Sequence, residues 1–186
     1  MTTNGWRVQR IERVERILSV VVGLAAIIAA LGSLYQARLA REQLRASAWP
    51  YLAQANAMIQ GSPYTRVVSN EGIGPARVQS FRVYVDGRPV PTWNVAVQAL
   101  TGSGEPALVY STFGRGAVLP PGAHRTVLTL PAGARAESFW VQAQTRLRTV
   151  VCYCSVYDEC WIADSDQPEP QPTFACRTDP ATEFAQ

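Results

Sequence analysis

The sequence contains no lysine and a single histidine, His124, and it has no phosphate-binding glycine loop, no Cys-x-x-Cys pair and no internal repeat. All 17 basic residues are arginine, which together with abundant alanine reflects a GC-rich bacterial genome rather than a mechanism. Serines and threonines are scattered without a motif, so no reaction is declared. Charge is scarce as well: 17% of residues are charged, against roughly 25% in an average globular protein. With 47% hydrophobic residues the composition is not that of a disordered chain. The low charge implies either a generous core or an apolar segment lying in lipid, and the N-terminal region points to lipid.

From Ile17 to Tyr35 the chain runs nineteen residues without a charge. As a helix this stretch covers about 30 Å, the thickness of the hydrocarbon core. A secretory signal peptide has a shorter apolar run and a small-x-small cleavage site, for which Ala30-Leu31-Gly32 is a poor candidate. The polar stretch that follows holds good helix formers and no proline up to Ser47. This predicts an uncleaved signal anchor: a basic amphipathic segment (1–16), a transmembrane helix (17–35) and a helical stalk (36–48). No cysteine follows the apolar run where a lipid anchor would need one.

Arg7, Arg10, Arg13 and Arg16 flank the apolar run on one side and Arg38, Arg41 and Arg45 on the other, so the positive-inside rule is nearly silent. The short N-terminus and the even number of cysteines in the C-terminal part favour a cytoplasmic N-terminus and a periplasmic domain in a bacterial inner membrane. Val8, Ile11, Val14 and Leu18 form a stripe that would dock a partner or lie on anionic membrane lipid. The plainer reading is an arginine-flanked helix end with Glu12 and Arg16 paired. Ser19/Gly23, Ala26/Ala30 and Ala25/Ala29/Ser33 are small-xxx-small pairs that would permit a homo-oligomer, though an alanine-rich chain produces such pairs by chance.

The residues from Trp49 onward suffice for one domain. Trp49-Pro50 ends the helix. Strands are expected in YLAQANAMIQ, YTRVVSN, FRVYV, ALVYSTF, HRTVLTL, LRTVVCYC and CWIAD, with turns at Gly61-Ser62-Pro63 and Asp86-Gly87 and a short helix in TWNVAVQAL. The expected fold is mainly β, an antiparallel β-sandwich of immunoglobulin-like kind or a partial barrel over 49–166. LRTVVCYC and CWIAD read as a hairpin closing the sheet. A Pro-rich acidic tail (167–186) is expected to be irregular, pinned only by Phe174 and Cys176.

Charge separates along the domain: residues 48–154 carry nine arginines against four acids, net +5, and residues 155–186 one against seven, net −6. The acidic tail is therefore expected to lie back over a basic face. The arginines are single and spaced, without interleaved aromatics, and no nucleic acid partner is expected.

ASAWPYL, SNEGIGPA at 69–76 and CYCSVYDECW at 152–161 together resemble a loose group of uncharacterised bacterial membrane-anchored proteins with one N-terminal helix and a β-rich domain. The resemblance implies an architecture and no activity. Within NEGIGPA, Asn70, Gly72, Gly74 and Pro75 read as a structural loop, with glycines suited to positive φ and Pro75 setting the entry to the next strand. The alternative is an anion-binding nest of backbone N–H groups.

Cys152, Cys154, Cys160 and Cys176 follow the spacing C-x-C-x5-C-x15-C. Residues i and i+2 of a strand share a face with Cα atoms roughly 6.5 Å apart, so Cys152 and Cys154 do not bond each other while extended. Of the two remaining connectivities, Cys154 with Cys160 would close the hairpin and Cys152 with Cys176 would staple the tail. Free thiols and a four-cysteine site for zinc or another soft metal are the alternatives, the latter a weak match to common spacings.

No cofactor or metal is expected. His124 lies at a loop edge, and neither Asp158-Glu159 nor Asp164 with Asp166 has the order of a calcium loop. The expectation is a non-catalytic, single-pass inner-membrane protein presenting a protein-binding module, an accessory subunit or scaffold whose partner is another membrane or periplasmic protein. A membrane-anchored cytoplasmic sensor or effector of a signalling or defence system and a cysteine-ligated metal protein remain as alternatives.

Overall fold

The computed structural model describes residues 5–102 and 110–185, with side chains described from residue 13 onward except residue 14. The chain divides into two compact units, Met1–Ala46 and Ser47–Gln186.

The first unit is one helix, α1 (Gly5–Ser47), which no proline interrupts for 43 residues and which is about 65 Å long at the usual rise. Its segment from Glu15 is long and apolar enough to cross a membrane, and no side chain of its apolar stretch is buried within the protein. Two hydroxyls in that stretch are satisfied by the helix itself: Ser19 Oγ donates to Glu15 O at 2.8 Å and Ser33 Oγ to Ala29 O at 2.9 Å. Arg13, Arg16, Arg38, Arg41 and Arg45 are exposed. The side chains of Arg7 and Arg10, the Val8–Val14 stripe and the expected Glu12–Arg16 pair lie outside the described residues.

The second unit contains β1 (Leu52–Ala57), β2 (Tyr64–Asn70), β3 (Ala76–Val85), β4 (Arg88–Val90), α2 (Trp93–Thr101), β5 (Val118–Leu119), β6 (His124–Leu130), α3 (Ala134–Arg146), β7 (Leu147–Cys154), β8 (Cys160–Asp164) and β9 (Gln171–Thr173). All strand pairs are antiparallel. A three-stranded sheet runs β1-β2-β6. The larger sheet runs β4-β3-β7-β8-β9, with β5 also on β3, and the two do not close into a barrel.

The two sheets and two helices share one apolar core. Leu52, Tyr64, Val68, Leu128 and Leu130 of the small sheet meet Val78, Phe81, Val83, Val151 and Tyr153 of the large one, with Trp93, Val97 and Phe139 from the helices. The β3–β4 hairpin turns on Asp86 and Gly87, both at positive φ (51° and 75°), as the strand twist requires of a two-residue connection.

Four expectations need correction. Residues 134–146 form α3, which the strand-rich reading omitted although Ala136, Phe139 and Ala143 fall at helical spacing and are buried. In ALVYSTF, Tyr110–Phe113 form no strand, and the remainder lies outside the described residues. The β7–β8 hairpin does not close the sheet, because β9 adds beyond it. The segment 167–185 is irregular outside one short strand, as expected, and is held by Cys176, but it is pinned at more points than expected. It contributes β9, and Phe184 N–H donates to Phe81 O at 2.9 Å on the stretch of β3 edge between β5 and β4. Phe184 is 7% exposed and packs on Phe81 and Trp93 at centroid distances of 5.4 and 5.0 Å, whereas Phe174, the expected pin, is 102% exposed.

Candidate functional site

The outer face of the large sheet collects the cysteines. Cys154 and Cys160 are cross-strand partners where the β7–β8 hairpin closes, with Cα atoms 4.0 Å apart, and their sulfurs are bonded. Cys152, two residues back on the same face, is bonded to Cys176 just after β9. The two disulfides lie side by side, Cys154 Sγ being 3.8 Å from Cys176 Sγ. The sulfurs of Cys154, Cys160 and Cys176 all lie within 4.8 Å of one another, a spacing that a soft metal ion would accept only from reduced thiols. In the bonded state these sulfurs are not thiolate ligands.

The acids beside the cysteines are engaged by arginines. In the hairpin loop, Asp158 pairs with Arg77, whose Nε also donates to Ser155 O at 3.1 Å. Asp164 accepts from Arg148 and from the Asp166 N–H at 3.1 Å, and the Arg148 guanidinium also stands 5.8 Å from the Tyr84 ring centre. Burial pushes the Asp164 carboxyl up, but the Arg148 and Asp166 hydrogen bonds outweigh it and hold the group below the usual carboxylate range. The arginines Arg77 and Arg148 thus meet acids of residues 155–166. From the tail, Glu183 instead accepts from Ser80 Oγ at 2.6 Å and from the Phe81 N–H at 3.2 Å. His124 is exposed on β6.

The loop after β2 is built by close approach to the entry of the domain. Asn70 is fully buried: Oδ1 accepts from the N–H of Tyr51 (3.2 Å) and Gly72 (3.0 Å), and Nδ2 donates to the carbonyls of Gly74 (2.8 Å) and Leu119 (2.9 Å). The N–H groups of Glu71, Ile73 and Gly74 donate to Tyr51 O and Trp49 O. Every N–H from Glu71 to Gly74 is therefore spent within the protein, which removes the anion-nest alternative. Gly72 and Gly74 are not at positive φ. Their requirement is space, since a Cβ at Gly72 would lie 2.4 Å from Tyr51 N and one at Gly74 2.0 Å from Ala48 O. Pro75 directly precedes β3, which begins at Ala76.

Between the sheets lies a polar network with no counterpart in the sequence reading. Arg66, 3% exposed, donates from Nη1 to Asn56 Oδ1 (2.8 Å) and from Nη2 to Thr149 Oγ1 (2.6 Å). Thr149 in turn donates to Gln54, whose Nε2 reaches the carbonyls of Thr149 and Ala163 at 3.2 and 3.0 Å. These bonds tie β1 and β2 to β7 and β8. On the same inner faces, Tyr153 accepts the Leu52 N–H at 3.2 Å, and burial pushes its phenol up to about 12, so it stays protonated. The alternation of Tyr64, Arg66, Val68 and Asn70 on one face of β2 was the signal available, but an inward arginine contradicts the apolar pattern by which faces are assigned.

One open cavity of about 460 Å³ sits on the outer face beside the Cys152–Cys176 link. Arg82, Cys152 and Ile162 come from three adjacent strands, and Thr173, Phe174 and Arg177 come from the segment that follows β8. No family model matches the chain, and no curated protein does.

Proposed function

We propose that this chain is a non-catalytic, single-pass protein of a bacterial inner membrane, with its N-terminus in the cytoplasm and a disulfide-stapled domain presented in the periplasm to a protein partner. The observation that carries this reading is the coexistence of one membrane-length apolar helix with two disulfides in the other unit. Disulfides persist in oxidising compartments, and a domain stapled at its hairpin and tail is suited to the periplasmic side. Two antiparallel sheets over one core support reading the domain as an immunoglobulin-like sandwich, with α2 and α3 as additions. A rigid module without a convergent set of reactive groups suits an accessory subunit or scaffold.

The reading is tested by solubilising native membranes under several mild detergents and determining the composition and stoichiometry of the purified species. A second protein in fixed ratio is the expected result. A homogeneous monomer by every route contradicts it.

A further inference from the structure

We infer that the cavity beside the Cys152–Cys176 disulfide is a binding site for an amphiphilic oxyanion, a carboxylate or phosphate carried on an apolar body. This inference rests on the cavity and is independent of the protein-binding reading.

Two arginines, Arg82 and Arg177, line the cavity, and no acidic side chain does. Neither arginine has a hydrogen bond or ion pair within the described residues, in contrast to Arg77, Arg146 and Arg148, each of which meets an aspartate. Arg82 Nε is buried without a partner, as Arg66 Nε is between the sheets, so a ligand in the cavity would meet the outer nitrogens of the Arg82 guanidinium. Asp164, two residues from Ile162 on the same strand, is hydrogen-bonded to Arg148, and the Arg82 charge acts on it only through space. A guanidinium with no carboxylate hydrogen-bonded to it is suited to receive one, or a phosphate, through paired N–H donors.

The remaining wall specifies an apolar body. Ile162 and Cys152 line the cavity, and Phe174, also of its lining, is wholly exposed. An unburied phenyl ring next to unpaired cations gives a ligand both a charged and an apolar anchor, and the volume falls in the range of small-molecule sites. The ring and Arg177 flank Cys176, so the disulfide holds this wall to the sheet.

The test uses the full chain in nanodiscs of zwitterionic phosphatidylcholine, titrated calorimetrically with phenyl phosphate, inorganic phosphate and phenol. Phenyl phosphate is expected to bind at one site at least about tenfold more tightly than either fragment, a difference that an added anchor of ordinary strength supplies. Arg82→Gln and Arg177→Gln should each weaken it about tenfold or more, and Phe174→Ala should weaken phenyl phosphate while leaving inorganic phosphate unchanged. Arg177 and Phe174 are exposed, so their variants keep the test decisive if Arg82→Gln misfolds. No saturable binding of phenyl phosphate, or binding that none of the three variants alters, overturns the inference. Competition by vesicles containing phosphatidylglycerol then separates the sources: displacement of phenyl phosphate assigns the anion to a lipid headgroup, and its absence assigns it to a soluble molecule.

Discussion

Asn70 shows how much of this domain depends on single polar side chains. Its amide joins Tyr51, Gly72, Gly74 and Leu119, groups from the domain entry, its own loop and β5. Truncation strands buried donors and acceptors, each costing about 1–3 kcal/mol. Asn70→Ala is expected to destabilise the domain by roughly 3–5 kcal/mol in urea unfolding followed by tryptophan fluorescence, and a loss below about 1 kcal/mol would contradict the hub role. The two tail phenylalanines provide a contrast. Phe184→Ala removes a ring from between Phe81 and Trp93 and should cost about 3–4 kcal/mol, while Phe174→Ala should change stability by less than about 0.5 kcal/mol. Equal effects in thermal unfolding would refute the difference in burial. From the sequence the two are near twins, each an isolated aromatic in a polar stretch, because the pocket that distinguishes them is built by β3 and α2, far away in the chain.

At the scale of elements, the two disulfides differ in what they restrain. Cys152 and Cys176 are separated by 24 residues, Cys154 and Cys160 by 6. The loop-entropy relation assigns about 3 kcal/mol to the longer link and about 2 kcal/mol to the shorter. The double serine variant of the longer link is therefore expected to lose more stability than that of the shorter, and the reverse order in matched urea titrations would show that the tail is held by Phe184 and β9 alone. The Asp164–Arg148 pair bears on acid stability. Because the folded carboxyl titrates below its usual value of about 3.9, its contribution is complete above that pH and is lost as pH falls through the lowered folded value. Asp164→Asn should flatten the acid limb of the stability profile, and an unchanged limb would exclude the pair as a cause.

The elements also show what local sequence can specify. β2, β6, β7 and β8 have the bounds read from alternation and flanking turn residues, and the Asp86-Gly87 turn has the positive φ values its dipeptide suits. Gly72 and Gly74, in the loop that follows Asn70 at the end of β2, are required for space rather than for positive φ, and close approach to Ala48 and Tyr51 leaves no local signature. Arg66 and the Arg82–Arg177 cavity were illegible for the same cause: both are made by residues that only sheet pairing brings together. α3 is legible in the helical spacing of Ala136, Phe139 and Ala143, which the strand-like segments on either side mask.

In the whole molecule a membrane-length helix precedes a domain with two disulfides, and a compartment that keeps the disulfides must lie on the domain's side of any membrane the helix crosses. A cytoplasmic domain would meet a reducing pool and lose both links, leaving the segment from Gln171 held by β9 and Phe184. The most direct test is thiol labelling of intact cells with a membrane-impermeant maleimide, with and without prior reduction. The account predicts that Cys152, Cys154, Cys160 and Cys176 are unreactive until a reductant is added and are then labelled without permeabilising the inner membrane. Four thiols that react without reductant, and only after the inner membrane is opened, would contradict it.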